Sequence, residues 1–336
     1  MADTVRWGIL ATGKIAHAFA HDLALVPDTE IAAVGSRRIA AAEEFSARHT
    51  GGAATAHGSY EELVADPAVD VVYVATPHAL HLENARLAFA AGKHVLCEKP
   101  LTLTTQDAEE MVRLARERGL FLMEAMWMAC HPVIRALRER LHAGDFGTPR
   151  ALRAELGFAV DAPPEDRMFN PALGGGALLD MGVYPLTFAH LMLGEAESLS
   201  AQAGLGPTGV DLDVAVAGRY AGGAVATMTA SMTGWSSCTA AIATDRGRIE
   251  LPWEFNHPRH ATYTEVGPDG PTHPQRIAGA EPVIGQGYGN EIAEVGRCLR
   301  EGLLESPLVP HAQTLTLMRQ MDALREQIGV RYAADA

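Results

Sequence analysis

Residues 69–75, Val-Asp-Val-Val-Tyr-Val-Ala, form a nearly continuous apolar run that ends in Thr76-Pro77-His78. A strand apolar on both faces has to be covered on both faces, which is the situation in a parallel sheet flanked by helices. Similar short runs at 5–10, 30–35, 94–97 and 120–123 alternate with amphipathic segments. The segments run to Leu25 after the first run, through Arg48 after the second, over 81–91 with Gly92 as stop, and over 104–118 with Gly119 as cap. Ser59-Tyr60-Glu61-Glu62 has capping-box form and opens a further short helix ending near Ala65. Strands alternating with helices at this spacing predict an α/β domain with a doubly wound parallel sheet over residues 1–125.

After Trp127 the pattern changes. A helix over 132–142 is followed by strand-like segments at 150–158, 198–203, 212–220, 224–232 and 238–244. Ala221-Gly222-Gly223 and Asp245-Arg246-Gly247 read as hairpin turns between such segments. The remainder, 126–336, is therefore an α+β domain with a mostly antiparallel sheet, a long Pro- and Gly-rich loop over 252–287, and closing helices at 290–299 and 311–328. With 336 residues, each half can bury its own core.

The bulk properties exclude several partners. A net charge of −14 without a basic patch speaks against nucleic acid and anionic membranes. No run approaches membrane-spanning length. The N-terminus shows no secretory pattern, and Cys97, Cys130, Cys238 and Cys298 lack any Cys-x-x-Cys spacing, so a cytoplasmic protein with free thiols is expected.

Cation choice sharpens the search for a site. Lys and Arg total 27, yet only Lys14, Lys93 and Lys99 are lysines. An ammonium can lose its proton when desolvated and a guanidinium effectively cannot, so a lysine amid arginines points to a place an arginine cannot serve. Lys99 closes the run His94-Val95-Leu96-Cys97-Glu98-Lys99-Pro100 at the carboxyl end of a strand, where ligands bind in open parallel sheets.

Lys14 lies in Ala11-Thr12-Gly13-Lys14-Ile15-Ala16, a dinucleotide fingerprint with its first and third glycines replaced by alanine. The replacement at Ala11 is expected to matter little if the backbone there keeps a negative φ. The second strand ends in Ser36-Arg37-Arg38 rather than in the acid that would bind ribose hydroxyls. A serine hydroxyl and a guanidinium fork suit a 2′-phosphate. One charge-assisted bond of about 1.5–3 kcal/mol would favour NADP(H) over NAD(H) by roughly tenfold to a hundredfold. Thr76, Pro77, His78 and His81 follow the central strand and are candidates for contact with the same cofactor, as are Glu98, Lys99 and Trp127. His78-x-x-His81 has no carboxylate or cysteine arranged with it, and no metal site is expected.

A second dense signal is Gly174-Gly175-Gly176-Ala177-Leu178-Leu179-Asp180-Met181-Gly182-Val183-Tyr184. Asp180 and Tyr184, four apart, share one helix face. Spacing alone leaves two readings open: a carboxylate and phenol that orient a substrate hydroxyl, or a helix whose tyrosine fills core while its aspartate caps a turn.

Taken together, Gly8 to Ala16, Glu98-Lys99-Pro100, Glu124-Ala125-Met126-Trp127 and the glycine run through Asp180 to Tyr184 resemble the glucose-fructose oxidoreductase/inositol dehydrogenase (Gfo/Idh/MocA) family. Within it they are similar to the branch of dimeric dihydrodiol dehydrogenases and NADP-dependent xylose dehydrogenases. The resemblance implies a Rossmann domain, a second domain with a large antiparallel sheet whose open face often supports dimerisation, and a nicotinamide between Lys99 and the Asp180/Tyr184 helix. It implies hydride transfer between NADP(H) and the carbinol or carbonyl carbon of a sugar, such as an aldose C1, or of a vicinal diol. Lys99 and Tyr184 would then pass the proton and Asp180 would hold the substrate. Many relatives carry histidine at the position of Tyr184, and a phenol with pKa near 10 needs a neighbouring cation to act as a base at neutral pH. A homodimer or higher homo-oligomer is expected. Competing expectations are a glycoside hydrolase that recycles its nicotinamide internally and a non-catalytic NADP sensor.

Overall fold

The computed structural model describes residues 4–335. In chain order the first elements are β1 (Val5–Leu10), α1 (Lys14–Leu23), β2 (Thr29–Gly35), α2 (Ile39–Thr50), β3 (Thr55–His57), α3 (Tyr60–Ala65) and β4 (Val71–Val74). They continue with α4 (His81–Ala90), β5 (His94–Cys97), α5 (Thr105–Arg118), β6 (Leu122–Glu124), α6 (Trp127–Cys130) and α7 (Pro132–His142). The six strands pair in parallel in the order β3-β2-β1-β4-β5-β6. That is the doubly wound Rossmann arrangement, in which the strand order reverses beside β1 and ligands bind outside the carboxyl ends of the strands.

Local chemistry accounts for these elements. All four residues of β4 are buried, as its two-sided apolar run requires. Thr104 caps α5 by accepting from the Asp107 amide at 3.2 Å, and Gly119 ends it in the left-handed region. The Ser59 hydroxyl accepts from the Glu62 amide at 3.1 Å, while Glu62 reaches back to the Gly58 amide at 2.9 Å rather than to that of Ser59.

The chain then runs through β7 (Pro149–Gly157), α8 (Val183–Leu193), β8 (Ala196–Leu205), β9 (Asp211–Tyr220), β10 (Val225–Ser231), β11 (Ala240–Thr244) and β12 (Gly247–Leu251). Last come β13 (Ala261–Gly267), β14 (Gly270–Pro271), β15 (Gln275–Ile277), α9 (Tyr288–Arg300) and α10 (His311–Ile328). The second sheet has nine strands in the order β14-β13-β12-β11-β7-β10-β9-β8, with β15 beside β13. It is antiparallel except where β10 pairs with β7 in parallel. Ala226, Met228 and Ala230 of β10 are buried while the alternate Val225 is half-exposed, so one face is packed and the other open.

Two expectations need correction here. The supposed loop 252–287 carries the seven-residue β13 and the short strands β14 and β15 that pair along it, whose Pro- and Gly-rich surroundings hide the period-2 signal. The run 171–193 is as long and apolar as a membrane span, but 89% of its most apolar window is buried inside the protein, where α8 lies against β7 and β10.

The chain divides into two compact units, residues 1–130 with 283–315, and residues 131–282 with 316–336. Residues 283–315 thus fold with the first unit although they follow the second in sequence, a return that a single boundary near residue 125 does not describe. The Asp22 carboxylate of α1 secures it by accepting from the Gln286 and Tyr288 amides at 2.7 and 3.1 Å. All four cysteines are free and buried.

Candidate active site

In the first unit the turn after β1 leads straight into α1. Ala11 has φ of 80°, so the expectation of a negative φ is overturned. Its amide donates to Gly35 O at 3.0 Å, which ties the turn to the end of β2 and leaves alanine in a conformation better suited to glycine. Thr12 and Ile15 are half-buried, Lys14 is exposed, and Gly13 is the N-cap of α1 with an extended backbone. Among the described residues, no side chain caps this helix, and nothing lies within 4 Å of where a Cβ on Gly13 would stand. The first-turn amides of α1 are therefore open to an anion, and the backbone can be approached closely, as a pyrophosphate requires.

A cavity of about 630 Å³ lies beyond the end of β2, lined by Arg37, Ser59, Tyr60, Leu80 and Asn84 among others. Arg37 is exposed and stands beside the Tyr60 phenol, whose pKa burial raises and Arg37 lowers. Ser36 is buried with its hydroxyl 3.4 Å from the Arg38 amide, and Arg38 opens α2. An adenosine with a 2′-phosphate fits this chemistry: an apolar and amide-bearing wall, and a guanidinium at the rim.

After β4, Thr76 is buried and its hydroxyl accepts from Asn84 Nδ2 at 3.2 Å. Pro77 precedes a short turn over 78–80 in which His78 is buried. His81 lies behind this surface with its ring wholly buried. Its Nε2 faces Thr76 O at 2.9 Å, and its Nδ1 faces Pro100 O and Leu101 O at 3.1 and 3.2 Å. Burial lowers its pKa and the carbonyl contacts oppose that shift. His81 thus joins the end of β4 to the turn that carries Lys99.

Two carboxylates hold that turn as well. Glu98, buried, accepts from the Tyr73 hydroxyl and, at 3.3 Å, from the Lys99 amide. Glu124 accepts from the Leu101 amide at 3.0 Å and from the Thr314 hydroxyl at 2.8 Å, and burial raises its pKa. Lys99 itself is half-buried. Trp127 is buried and stacks on Tyr288 with ring centroids 4.5 Å apart. Lys93 is a structural residue, its ammonium donating to Asp66 O and Val69 O at 2.8 Å each.

In the second unit the glycine run is a tight turn feeding a wide, π-type turn over Leu178–Gly182, which continues into α8. Asp180 sits in the wide turn and Tyr184 in the first turn of α8, both buried, so the regular α spacing assumed from sequence gives way to a wider one. Wide turns of this kind recur at functional sites. Asp180 Oδ1 accepts from Arg167 Nη1 at 3.0 Å. Arg167 was not anticipated because its loop has no periodicity. Its signal was its isolation, for it is the only Lys or Arg between Arg153 and Arg219.

A parallel sheet in this order, an open helix N-terminus after its first strand and a lysine at the end of its fifth define a nucleotide-dependent oxidoreductase. Residues 5–126 match the oxidoreductase family with NAD-binding Rossmann fold, and residues 134–250 match the GFO/IDH/MocA C-terminal domain. The chain belongs to the GFO/IDH/MocA family. It is 37% identical over 345 residues to trans-1,2-dihydrobenzene-1,2-diol dehydrogenase of Mus musculus, covering 98% of this chain and 99% of that protein. It is 38% identical over 364 residues to the NADP(+) D-xylose 1-dehydrogenase of Hypocrea jecorina, covering 98% and 93%. Among solved structures, a 3-ketoreductase from Actinomadura kijaniata in complex with NADP and TDP-benzene superposes with a TM-score of 0.86 at 28% identity, covering 97% of this chain and 98% of that one.

Proposed function

We propose that this oxidoreductase is an NADP-dependent dehydrogenase of sugars or vicinal diols. The observation that carries the cofactor choice is Arg37 at the rim of the cavity beyond β2, where an NAD enzyme would present a carboxylate. The names of its relatives, a diol dehydrogenase and an NADP(+) xylose dehydrogenase, support both the cofactor and the substrate class.

When bound, NADP supplies a hydride acceptor. The amides at Gly13 to Ile15, with Ala11 and Thr12 shaping the turn, hold its pyrophosphate. Ser36, Arg37 and Arg38 hold the 2′-phosphate. Thr76, Pro77 and His78 line its path, with His81, Glu98 and Trp127 fixing the surface behind it. Lys99 and Tyr184 take part in moving the substrate hydroxyl proton. Asp180 orients the substrate, and its partner Arg167 holds the carboxylate aimed. The open face of the nine-stranded sheet supports a homo-oligomer, which sedimentation analysis tests directly.

The deciding experiment follows nicotinamide absorbance while purified protein and NADP meet a panel of aldopyranoses, inositols and cyclic trans-diols, with NAD in parallel. Reduction by one group with NADP preferred is the expected result. Absence of reduction across the panel would sink the reading.

A further inference from the structure

The helix that carries Asp180 and Tyr184 starts over a buried charge that the reaction as described above does not use. Asp211, the first residue of β9, has no solvent exposure. Its Oδ2 accepts from the Leu178 amide at 2.6 Å, while its Oδ1 has no hydrogen-bond partner among the described residues. That oxygen lies 2.4 Å from where a Cβ on Gly176 would be, and Gly176 has φ of 131°, so glycine is required there on two counts. The same turn is held from other sides. The Tyr332 hydroxyl donates to Gly175 O at 2.5 Å, and the Gly176 amide donates to Met168 O at 2.9 Å.

A carboxylate is an unexpected choice for this position if its purpose is only to hold a turn. Arg325 is the cation nearest in its effect, but its guanidinium is bonded to Asp322 and Asp335. An asparagine is isosteric, would accept from the same amide through its oxygen, and would avoid burying a charge. Residues that break such rules concentrate where function needs them.

Resting on the dehydrogenase reading, we propose that Asp211 is a positioning residue for catalysis: as an anion under the glycine turn it fixes the wide turn that aims Asp180 and Tyr184, at the expense of stability.

Burial pushes the Asp211 carboxyl up to about 6 from its ordinary 3.8, against the backbone amides of Leu178, Asp211 itself and Ala177 and the charge of Arg325, which lower it. The other groups facing it are Arg325 of α10 and, in the C-terminal turn, Tyr332, with Asp335 beyond. The folded state therefore disfavours the anion. The contribution of Asp211 to stability is therefore greatest below pH 3.8, falls as pH rises to about 6, and stays reduced above that.

The test is Asp211→Asn in the full-length enzyme, measured for thermal midpoint and for turnover across pH 4 to 9. The variant should melt above the wild type at pH 8, with the gap closing toward pH 4. Its kcat should fall at least tenfold with KM for NADP unchanged, and the acid limb of kcat near pH 6 should disappear. Tyr332→Phe, which loosens the same turn and keeps the Asp211 carboxyl in place, should lower kcat but keep that limb. The proposal is overturned if the asparagine variant is as active as the wild type, if it melts lower at pH 8, or if Tyr332→Phe also loses the limb. A wild type that oxidises no sugar or diol overturns the dehydrogenase reading and this proposal with it, whereas wild-type turnover with any of those three results overturns this proposal alone.

Discussion

Ala11 keeps a left-handed backbone because its amide must reach Gly35 O, and an L-residue with a Cβ is penalised there by about 1–2 kcal/mol. Ala11→Gly should relieve most of that and stabilise the protein by about 1 kcal/mol, since the lost strain outweighs glycine's extra unfolded entropy. A rise in urea midpoint with NADP affinity unchanged is the expected outcome, and a fall would mean that the strain lies elsewhere. Glu291 offers a second residue-level test. It is fully buried in the first turn of α9, and neither carboxyl oxygen has a hydrogen-bond partner among the described residues. Burial, and then the charges of Glu98 and Asp22, push its pKa well above 4.5. An acid whose folded pKa is raised stabilises the fold fully below its unfolded pKa and loses that advantage as pH climbs. Glu291→Gln should therefore match the wild type in melting temperature near pH 4 and exceed it increasingly at higher pH. A pH-independent gap would show that the carboxyl is already satisfied.

At the level of elements, α9 belongs with α1 because of one side chain. Asp22 accepts from two amides of the 286–288 turn, and Gly285 beside it is pinned twice, by φ of 63° and by a Cβ position only 2.1 Å from Asp22 Oδ1. Asp22→Ala leaves those amides unpaired and should cost about 2–4 kcal/mol. Hydrogen exchange would show protection lost first over 283–300, and uniform loss throughout the chain would argue against a local anchor. This return could not be read from sequence, because Asp22 and Gln286 are linked by no spacing or period. Five of the six parallel strands could be read, since each is a short apolar run with helices of 3.6 period between, whereas the three-residue β3 could not. Strands β13 to β15 could not, β14 and β15 being too short and β13 showing no clean alternation of buried and exposed residues. The site divides the same way. Lys99, Arg37, Asp180 and Tyr184 stood out by residue type and by place at strand ends or on an apolar helix. Arg167 and Asp211 act through partners distant in sequence, and only burial and distance reveal them.

Over the whole molecule, the proposed function assigns cofactor binding and proton handling to different residues, so they should separate on mutation. Any ligand that binds only the folded state stabilises it, by about 2.7 kcal/mol at a hundred times its dissociation constant. NADP should therefore raise the melting temperature of the wild type, and Arg37→Glu should lose most of that shift with NADP while keeping the smaller one with NAD. Lys99→Met leaves Gly13, Ser36 and Arg37 untouched in the first unit, and Tyr184→Phe alters only the second. Both variants should keep the full NADP shift yet lose turnover, Lys99→Met by orders of magnitude. A lysine variant that still turns over like the wild type would remove Lys99 from the chemistry. One that loses the NADP shift would recast it as a binding residue, and the buried carboxylates Glu98 and Glu124 around its turn would then be holding a cofactor contact rather than a proton carrier.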